Sequence, residues 1–179
     1  MTRRRVRVVV LCEDRQHAAF IRRFLERVGW TTPPPRVEIC SAGAGDQWVR
    51  SRYPKELSQL RKEGSVLVVM TDADTLTIGE RLKHLDKACR DQGIEPRRSD
   101  EPVAVLVPRR NIETWIAYLA GQTVDEEKTY ARLARERDCA PHVKRLKDLC
   151  DRGSLESPAP PSLESACQEW KQCVQAAGP

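Results

Sequence analysis

Short runs of mainly β-branched residues constrain the fold of this 179-residue chain more than any other feature. The runs at 6–11, 66–70 and 103–107 are apolar at nearly every position and do not alternate with polar residues. Strands buried on both faces have this pattern, which is typical of parallel sheets covered by helices. With a shorter run at 37–40, the sequence predicts a mainly parallel sheet of four strands.

Segments with helical periodicity lie between these runs. One helix is predicted to carry Ile21, Phe24 and Leu25 on a single face, and a second to extend to Glu63 with a kink or a new start at Pro54. Further helices are predicted over 78–92 and from an N-cap at Asn111 to Gly121. Strands that alternate with helices indicate an α/β, Rossmann-like domain, which we place at residues 5–120.

The remainder of the chain, residues 121–179, is predicted to be a helical extension packed on this domain. Thr123 and Glu126 have the spacing of a capping box, which predicts a helix over about 125–136. Two more helices are predicted over about 142–150 and 162–176.

Several protein classes are excluded by what the sequence lacks. It has no apolar stretch of the roughly 18 residues that a membrane span needs, and its first apolar run is too short for a signal peptide. We therefore expect a cytoplasmic protein. The seven cysteines are odd in number and include no Cys-x-x-Cys pair, so we expect free thiols, mostly buried.

Positive charge is concentrated in the first third of the chain. Residues 1–63 carry 14 basic and 7 acidic side chains, a net charge of +7, whereas the whole chain has +5. Arginine predominates, and its guanidinium suits phosphate contacts. Solvated helix faces would give the same pattern. The candidate contacts to a nucleic-acid backbone are Arg15, Arg22, Arg50, Arg52 and Arg109.

Acidic residues follow three of the predicted strands. Glu13 follows the first strand, Asp72 and Asp74 follow the third, and Glu113 lies in the first turn after the fourth. The carboxyl ends of parallel strands meet at one edge, where ligands bind. Carboxylates gathered there repel one another, and a hard cation such as Mg²⁺ or Mn²⁺ relieves the repulsion. Asp72 and Asp74 can both face one ion only if the chain bends at Ala73.

Two simpler interpretations compete with a metal site. An acid after a strand often caps a helix or faces its dipole, as Asp14 and Glu113 would here. His17 lies one turn after Glu13 and could assist at this site, but we expect it on an exposed polar face instead. A receiver-like phosphoacceptor domain also has acids in these places, but it would need a lysine where Arg109 and Arg110 follow the last strand.

A glutamate ending the first strand and an Asp-x-Asp ending a later strand resemble the Toprim domain. The segment 109–115 also resembles the arginine-to-Glu-x-Trp segment of small stand-alone Toprim-like proteins akin to the overcoming-lysogenization-defect nucleases. The resemblance covers about residues 5–120. The family usually has glycine directly after the glutamate, and here Asp14 stands in that place.

The resemblance implies metal-dependent phosphodiester hydrolysis. Glu13 would be a metal ligand or a general acid/base, and Asp72 and Asp74 would be metal ligands. Glu113 would serve a second metal, and Arg110 would stabilise the developing charge. The resemblance also implies an ABC-type ATPase partner, in defence or nucleic-acid processing.

Several questions stay open at this point. The substrate can be DNA or RNA, and the chain can be a monomer or an oligomer. The non-enzymatic alternative is a catalytically degenerate Toprim-like subunit that binds an ATPase.

Overall fold

The structure, a computed structural model, describes residues 6–178. The strands are β1 (Val8–Cys12), β2 (Arg36–Ile39), β3 (Val66–Met70) and β4 (Val103–Leu106). The helices are α1 (Arg15–Arg27), α2 (Gly45–Glu63), α3 (Ile78–Asp91), α4 (Ile112–Leu119), α5 (Ala140–Arg152) and α6 (Pro161–Cys173), with single 3₁₀ turns at Glu136–Cys139 and Gln175–Ala177. The predicted α/β domain begins at Arg5, and the predicted helical extension ends at Pro179. Both residues lie outside the described part of the chain, as do Arg3 and Arg4.

All strands of the sheet are parallel and lie in the order β2-β1-β3-β4. Side chains of alternate residues point to opposite faces. One face packs against α1, α4, α5 and α6, and the other packs against α2 and α3. The prediction of an α/β fold with a parallel sheet of four strands and C-terminal helices is confirmed. The described residues contain no fifth strand.

Helix α2 continues through Pro54 as one element, so the predicted new start at this residue is wrong. Proline in a helix removes one backbone hydrogen bond and costs about 3 kcal/mol or more. Val49, Tyr53 and Leu57 are buried on one face of the helix, against the sheet, on both sides of the proline. This continuous apolar contact stabilises the helix across Pro54. Within residues 6–178, every helix is too short or too polar to cross a bilayer.

The helix predicted over 125–136 is absent, and this prediction is wrong. Residues 122–135 are turns and irregular structure. Glu126, the residue expected to close a capping box, instead accepts hydrogen bonds from the backbone N–H (2.9 Å) and the hydroxyl of Ser162. Its carboxylate therefore satisfies the first turn of α6, which has no capping side chain of its own. The predicted helices over 142–150 and 162–176 are confirmed as α5 and α6.

Candidate active site at the carboxyl edge of the sheet

The strand order reverses direction between β1 and β3, and open α/β sheets bind ligands in the crevice at such a point. The register pairs Cys12 with Met70, so Glu13 and Thr71 leave the sheet side by side. One carboxylate oxygen of Glu13 accepts hydrogen bonds from the Thr71 hydroxyl and from the backbone N–H of Asp72 (3.0 Å). These bonds hold the Glu13 side chain across the two strands.

Glu13 lies in an environment that disfavours its charged form. Burial raises the pKa of its carboxyl to about 7, although the hydrogen bond from Thr71 acts in the opposite direction. The charges of Asp72 and Asp74 also raise this pKa. The three acids after β1 and β3 therefore lie within electrostatic range of one another.

Asp72 is paired with His17, whose expected place on an exposed face is wrong. His17 is fully buried, and its Nε2 lies 3.0 Å from Asp72 Oδ1. Burial lowers the pKa of His17, but the charge and hydrogen bond of Asp72 raise it to about 9, so His17 carries a positive charge at pH 7. His17 lies four residues before Ile21 on the inward face of α1, and this spacing in the sequence could have indicated its burial.

Asp74 makes a different contact. The backbone at Asp74 has a left-handed φ of 55°. Its side chain is 59% exposed and accepts a hydrogen bond from Arg81 (3.1 Å). Arg81 is buried and also binds Asp46 (3.0 Å). The structure therefore places Asp72 beside His17 and Asp74 beside Arg81, a residue that no sequence motif indicated.

Glu113 faces inward from the first turn of α4 and is buried. Burial raises the pKa of this carboxyl, and the charges of Asp72 and Asp14 raise it further. Arg132, from the irregular segment 122–135, lies 3.2 Å from Glu113 and 3.9 Å from Asp14. A cation of the chain itself thus lies beside Glu113, where the sequence predicted a ligand for a second metal.

Asp14, where the Toprim family usually has glycine, has an extended backbone that any residue adopts (φ −149°). It is the N-cap of α1 and accepts a hydrogen bond from the backbone N–H of His17 (2.9 Å). The turn after β1 therefore does not require glycine. Close approach requires glycine at Gly45 instead, because a Cβ there would lie 2.7 Å from the Cβ of Glu13.

The arginines predicted to bind nucleic acid differ in their surroundings. Arg15 and Arg22 are exposed on α1 and make no hydrogen bond or ion pair within residues 6–178. Three others have carboxylate partners: Arg50 binds Asp46, Arg52 binds Glu38 and Glu56, and Arg109 binds Glu127.

Arg110, predicted to stabilise developing charge, is half-buried and has a left-handed φ of 66°. Its carbonyl accepts a hydrogen bond from the backbone N–H of Asp74 (3.1 Å), which ties the segment after β4 to the segment after β3. Its guanidinium has no hydrogen-bond partner among the described residues. The charge of Arg110 is therefore not paired within the described residues, as is also true of Arg15 at the start of α1.

The donors present at this edge fit a hard divalent ion in their chemistry. Glu13, Asp72 and Asp74 offer carboxylate oxygens, the ligands that Mg²⁺ and Mn²⁺ prefer, and their repulsion is what a cation would relieve. In the arrangement described for residues 6–178, no three acidic, histidine or cysteine side chains converge to form a metal site. Binding would therefore require side-chain rotations, above all of Asp74, whose carboxylate is the most exposed of the three.

Comparisons of the chain with protein-family models, with curated proteins and with solved structures found no match. The fold and the side chains at the carboxyl edge of β1 and β3 are therefore the observations that bear on function.

Proposed function

We propose that the chain is a divalent-metal-dependent phosphodiesterase that cleaves nucleic acid, with a Toprim-like active site at the carboxyl ends of β1 and β3. The observation that carries this proposal is the position of Glu13. Its carboxyl is held by Thr71 and by the backbone of Asp72 at the point where the strand order reverses.

Glu13, Asp72 and Asp74 would hold Mg²⁺ or Mn²⁺, which supplies Lewis-acid activation of the phosphate and of water. His17 orients Asp72 by the hydrogen bond between Nε2 and Oδ1. Thr71 orients Glu13 in the same way. Two of the three proposed ligands, Glu13 and Asp72, therefore have a hydrogen-bonding partner that fixes the side chain, as is common around metal ligands.

The nucleic acid would be bound by arginines whose charge is available. Arg15 and Arg22 lie exposed on α1, which begins at the proposed active site. Arg110 lies on the β4 side of the same edge, where it would stabilise charge that develops on the phosphate. Arg50, Arg52 and Arg109 would have to leave their carboxylates before they bind phosphate. A role in defence or nucleic-acid processing beside an ABC-type ATPase, and a cytoplasmic location, are part of the same proposal.

Cleavage assays test this proposal directly. Supercoiled plasmid and a structured RNA are incubated with the protein and Mn²⁺, Mg²⁺ or chelator. We expect metal-dependent cleavage that Asp72→Asn abolishes and that Asp91→Asn, on the exposed face of α3, leaves intact. The substrate that is cut identifies DNA or RNA as the target. Cleavage that persists in Asp72→Asn would contradict the proposed site.

A second function is favoured by the cations that the chain itself places on its acids. Arg81 binds Asp74, and Arg132 lies beside Glu113. These contacts neutralise part of the negative charge of the acidic cluster without a metal. A catalytically degenerate Toprim-like subunit of an ATPase complex would need no metal at these acids. Absence of both cleavage and metal binding in the purified protein would favour this function over the nuclease.

A further inference from the structure

Two cysteines lie side by side on the C-terminal helices, away from the proposed active site. Cys150 is near the end of α5 and Cys167 is in the middle of α6, and their sulfur atoms are 3.9 Å apart. Both residues are partly exposed. No other hydrogen bond joins two cysteines among the described residues, which include all seven.

The two helices are held in place independently of these thiols. Leu146 and Leu149 of α5 are buried in the same apolar cluster as Leu163 and Trp170 of α6. This packing keeps the sulfur atoms close to each other. A disulfide has an S–S distance of about 2 Å and a Cβ–Cβ distance of about 3.8 Å. Formation of the bond therefore requires the two sulfur atoms to move about 2 Å closer to each other.

Solvent reaches Cys150 from a cleft of about 480 Å³ between α1, α5 and α6. Cys150 lines this cleft together with Trp170, Lys147 and Lys171. A small oxidant in the cleft can therefore reach the Cys150 sulfur without unfolding of the helices.

The environment differs for the two sulfurs. The hydrogen bond from Cys167 lowers the pKa of the Cys150 thiol, and the charge of Lys171 adds to this effect, whereas burial opposes it. The pKa of the Cys167 thiol is raised by the same interaction and by burial. Cys150 also lines the cleft beside Lys147 and Lys171, whose positive charges favour its thiolate, the reactive form of cysteine.

We propose that Cys150 and Cys167 form a reversible intramolecular disulfide when the protein meets a peroxide. The Cys150 thiolate attacks one peroxide oxygen, the O–O bond breaks, and a sulfenic acid and water result. The Cys167 sulfur then attacks the sulfenic sulfur, loses its proton, and releases a second water. Two thiols lose two electrons and two protons, and one molecule of hydrogen peroxide is reduced to two molecules of water.

This modification site does not depend on the proposed nuclease activity. The disulfide would tie α5 to α6 and close a short loop, 151–166, between them. Constraint of the unfolded chain by a loop of this size predicts a rise in Tm on the order of 5 °C in the oxidised protein.

The test oxidises the folded wild-type protein with stoichiometric hydrogen peroxide, quenches it, and counts free thiols after denaturation. We expect loss of two of the seven thiols, a decrease in mass by two hydrogen atoms, and a crosslinked peptide pair that contains Cys150 and Cys167. Dithiothreitol should restore all seven. Retention of all seven thiols, or a crosslink between other cysteines, would overturn the proposal.

Variants assign the roles of the two thiols. Cys173→Ser on the same helix and Cys40→Ser are matched controls, since both cysteines are also partly exposed, and they should form the disulfide as wild type does. Cys167→Ser should accumulate the sulfenic acid at Cys150, which a dimedone label detects. Because peptide mapping uses the wild-type chain, the result stands even if a variant folds poorly. A disulfide of unchanged yield in Cys167→Ser would exclude the pair.

Discussion

Among the acids at the carboxyl edge of the sheet, Asp72 is paired with a fully buried side chain, His17. His17 contributes a buried imidazole at 3.0 Å, and its pKa near 9 depends on the negative charge of Asp72. Asp72→Asn keeps the shape of the side chain but removes this charge. Burial then prevails, and we predict that the pKa of His17 falls below its ordinary value of 6.5. An NMR titration of the histidine ring protons measures the change.

The same pair predicts how stability depends on pH. The pKa of His17 is higher in the folded than in the unfolded chain, so its contribution is complete below about pH 6.5 and is lost as pH rises through about 9. The contribution amounts to on the order of 3 kcal/mol of unfolding free energy. Urea unfolding at pH 7 and pH 10 should show a larger loss for wild type than for Asp72→Asn. An equal loss in both proteins would contradict the ion pair.

Gly45 permits the close approach of α2 to Glu13. A Cβ at this position would lie 2.7 Å from the Glu13 Cβ and 2.9 Å from the Glu13 carbonyl oxygen, and neither atom belongs to the free end of a side chain. We predict that Gly45→Ala destabilises the protein by about 1–3 kcal/mol. Gly79→Ala in α3 is the control, because its Cβ would meet no atom closer than 4.0 Å. Urea unfolding that gives the same free energy for both variants would contradict the steric argument.

At the scale of elements, the segment 122–135 has no regular secondary structure and stabilises the fold through its side-chain contacts. Glu126 accepts hydrogen bonds from Ser162 at the start of α6, and the Ser162 hydroxyl accepts one from the Trp115 indole (2.7 Å). We predict that Glu126→Ala destabilises the protein by about 1–3 kcal/mol, because the backbone N–H of the buried Ser162 loses its acceptor. Glu127→Ala should cost less, since Glu127 is exposed and pairs only with Arg109. Urea unfolding measures the loss of unfolding free energy in each variant. Equal losses in Glu126→Ala and Glu127→Ala would contradict the role of Glu126 as the cap of α6.

The elements that the sequence predicts well are those whose residues determine their own environment. The strands β1 and β3 are apolar at every position and could only be buried, so their places in the chain and the acids that follow them could be predicted. The segment 125–136 was predicted wrongly because the partner of Glu126 belongs to α6, which is distant in the sequence. Arg81 and the partner of His17 were missed for the same reason, because these contacts depend on packing between elements. The burial of His17, in contrast, is indicated by its helical spacing with Ile21.

At the scale of the whole molecule, the fold brings carboxylates from three chain segments to one edge and supplies nearby cations from elsewhere in the chain. Arg81 comes from α3, and Arg132 from the segment after α4. The negative charge of these carboxylates is therefore partly neutralised by arginines of the chain itself. A divalent ion would have to compete with Arg81 for Asp74, and this competition makes metal binding the property that separates an active site from a degenerate one.

Titration with Mn²⁺, followed by electron paramagnetic resonance of the free ion, tests the central claim most directly. The account predicts saturable binding to wild type and to Asp91→Asn, and loss of this binding in both Glu13→Gln and Asp72→Asn. Circular dichroism of each variant controls for folding. Two results would contradict a metal centre at the carboxyl ends of β1 and β3. One is absence of saturable Mn²⁺ binding to the folded wild-type protein, and the other is binding to Glu13→Gln and Asp72→Asn that is as tight as binding to wild type.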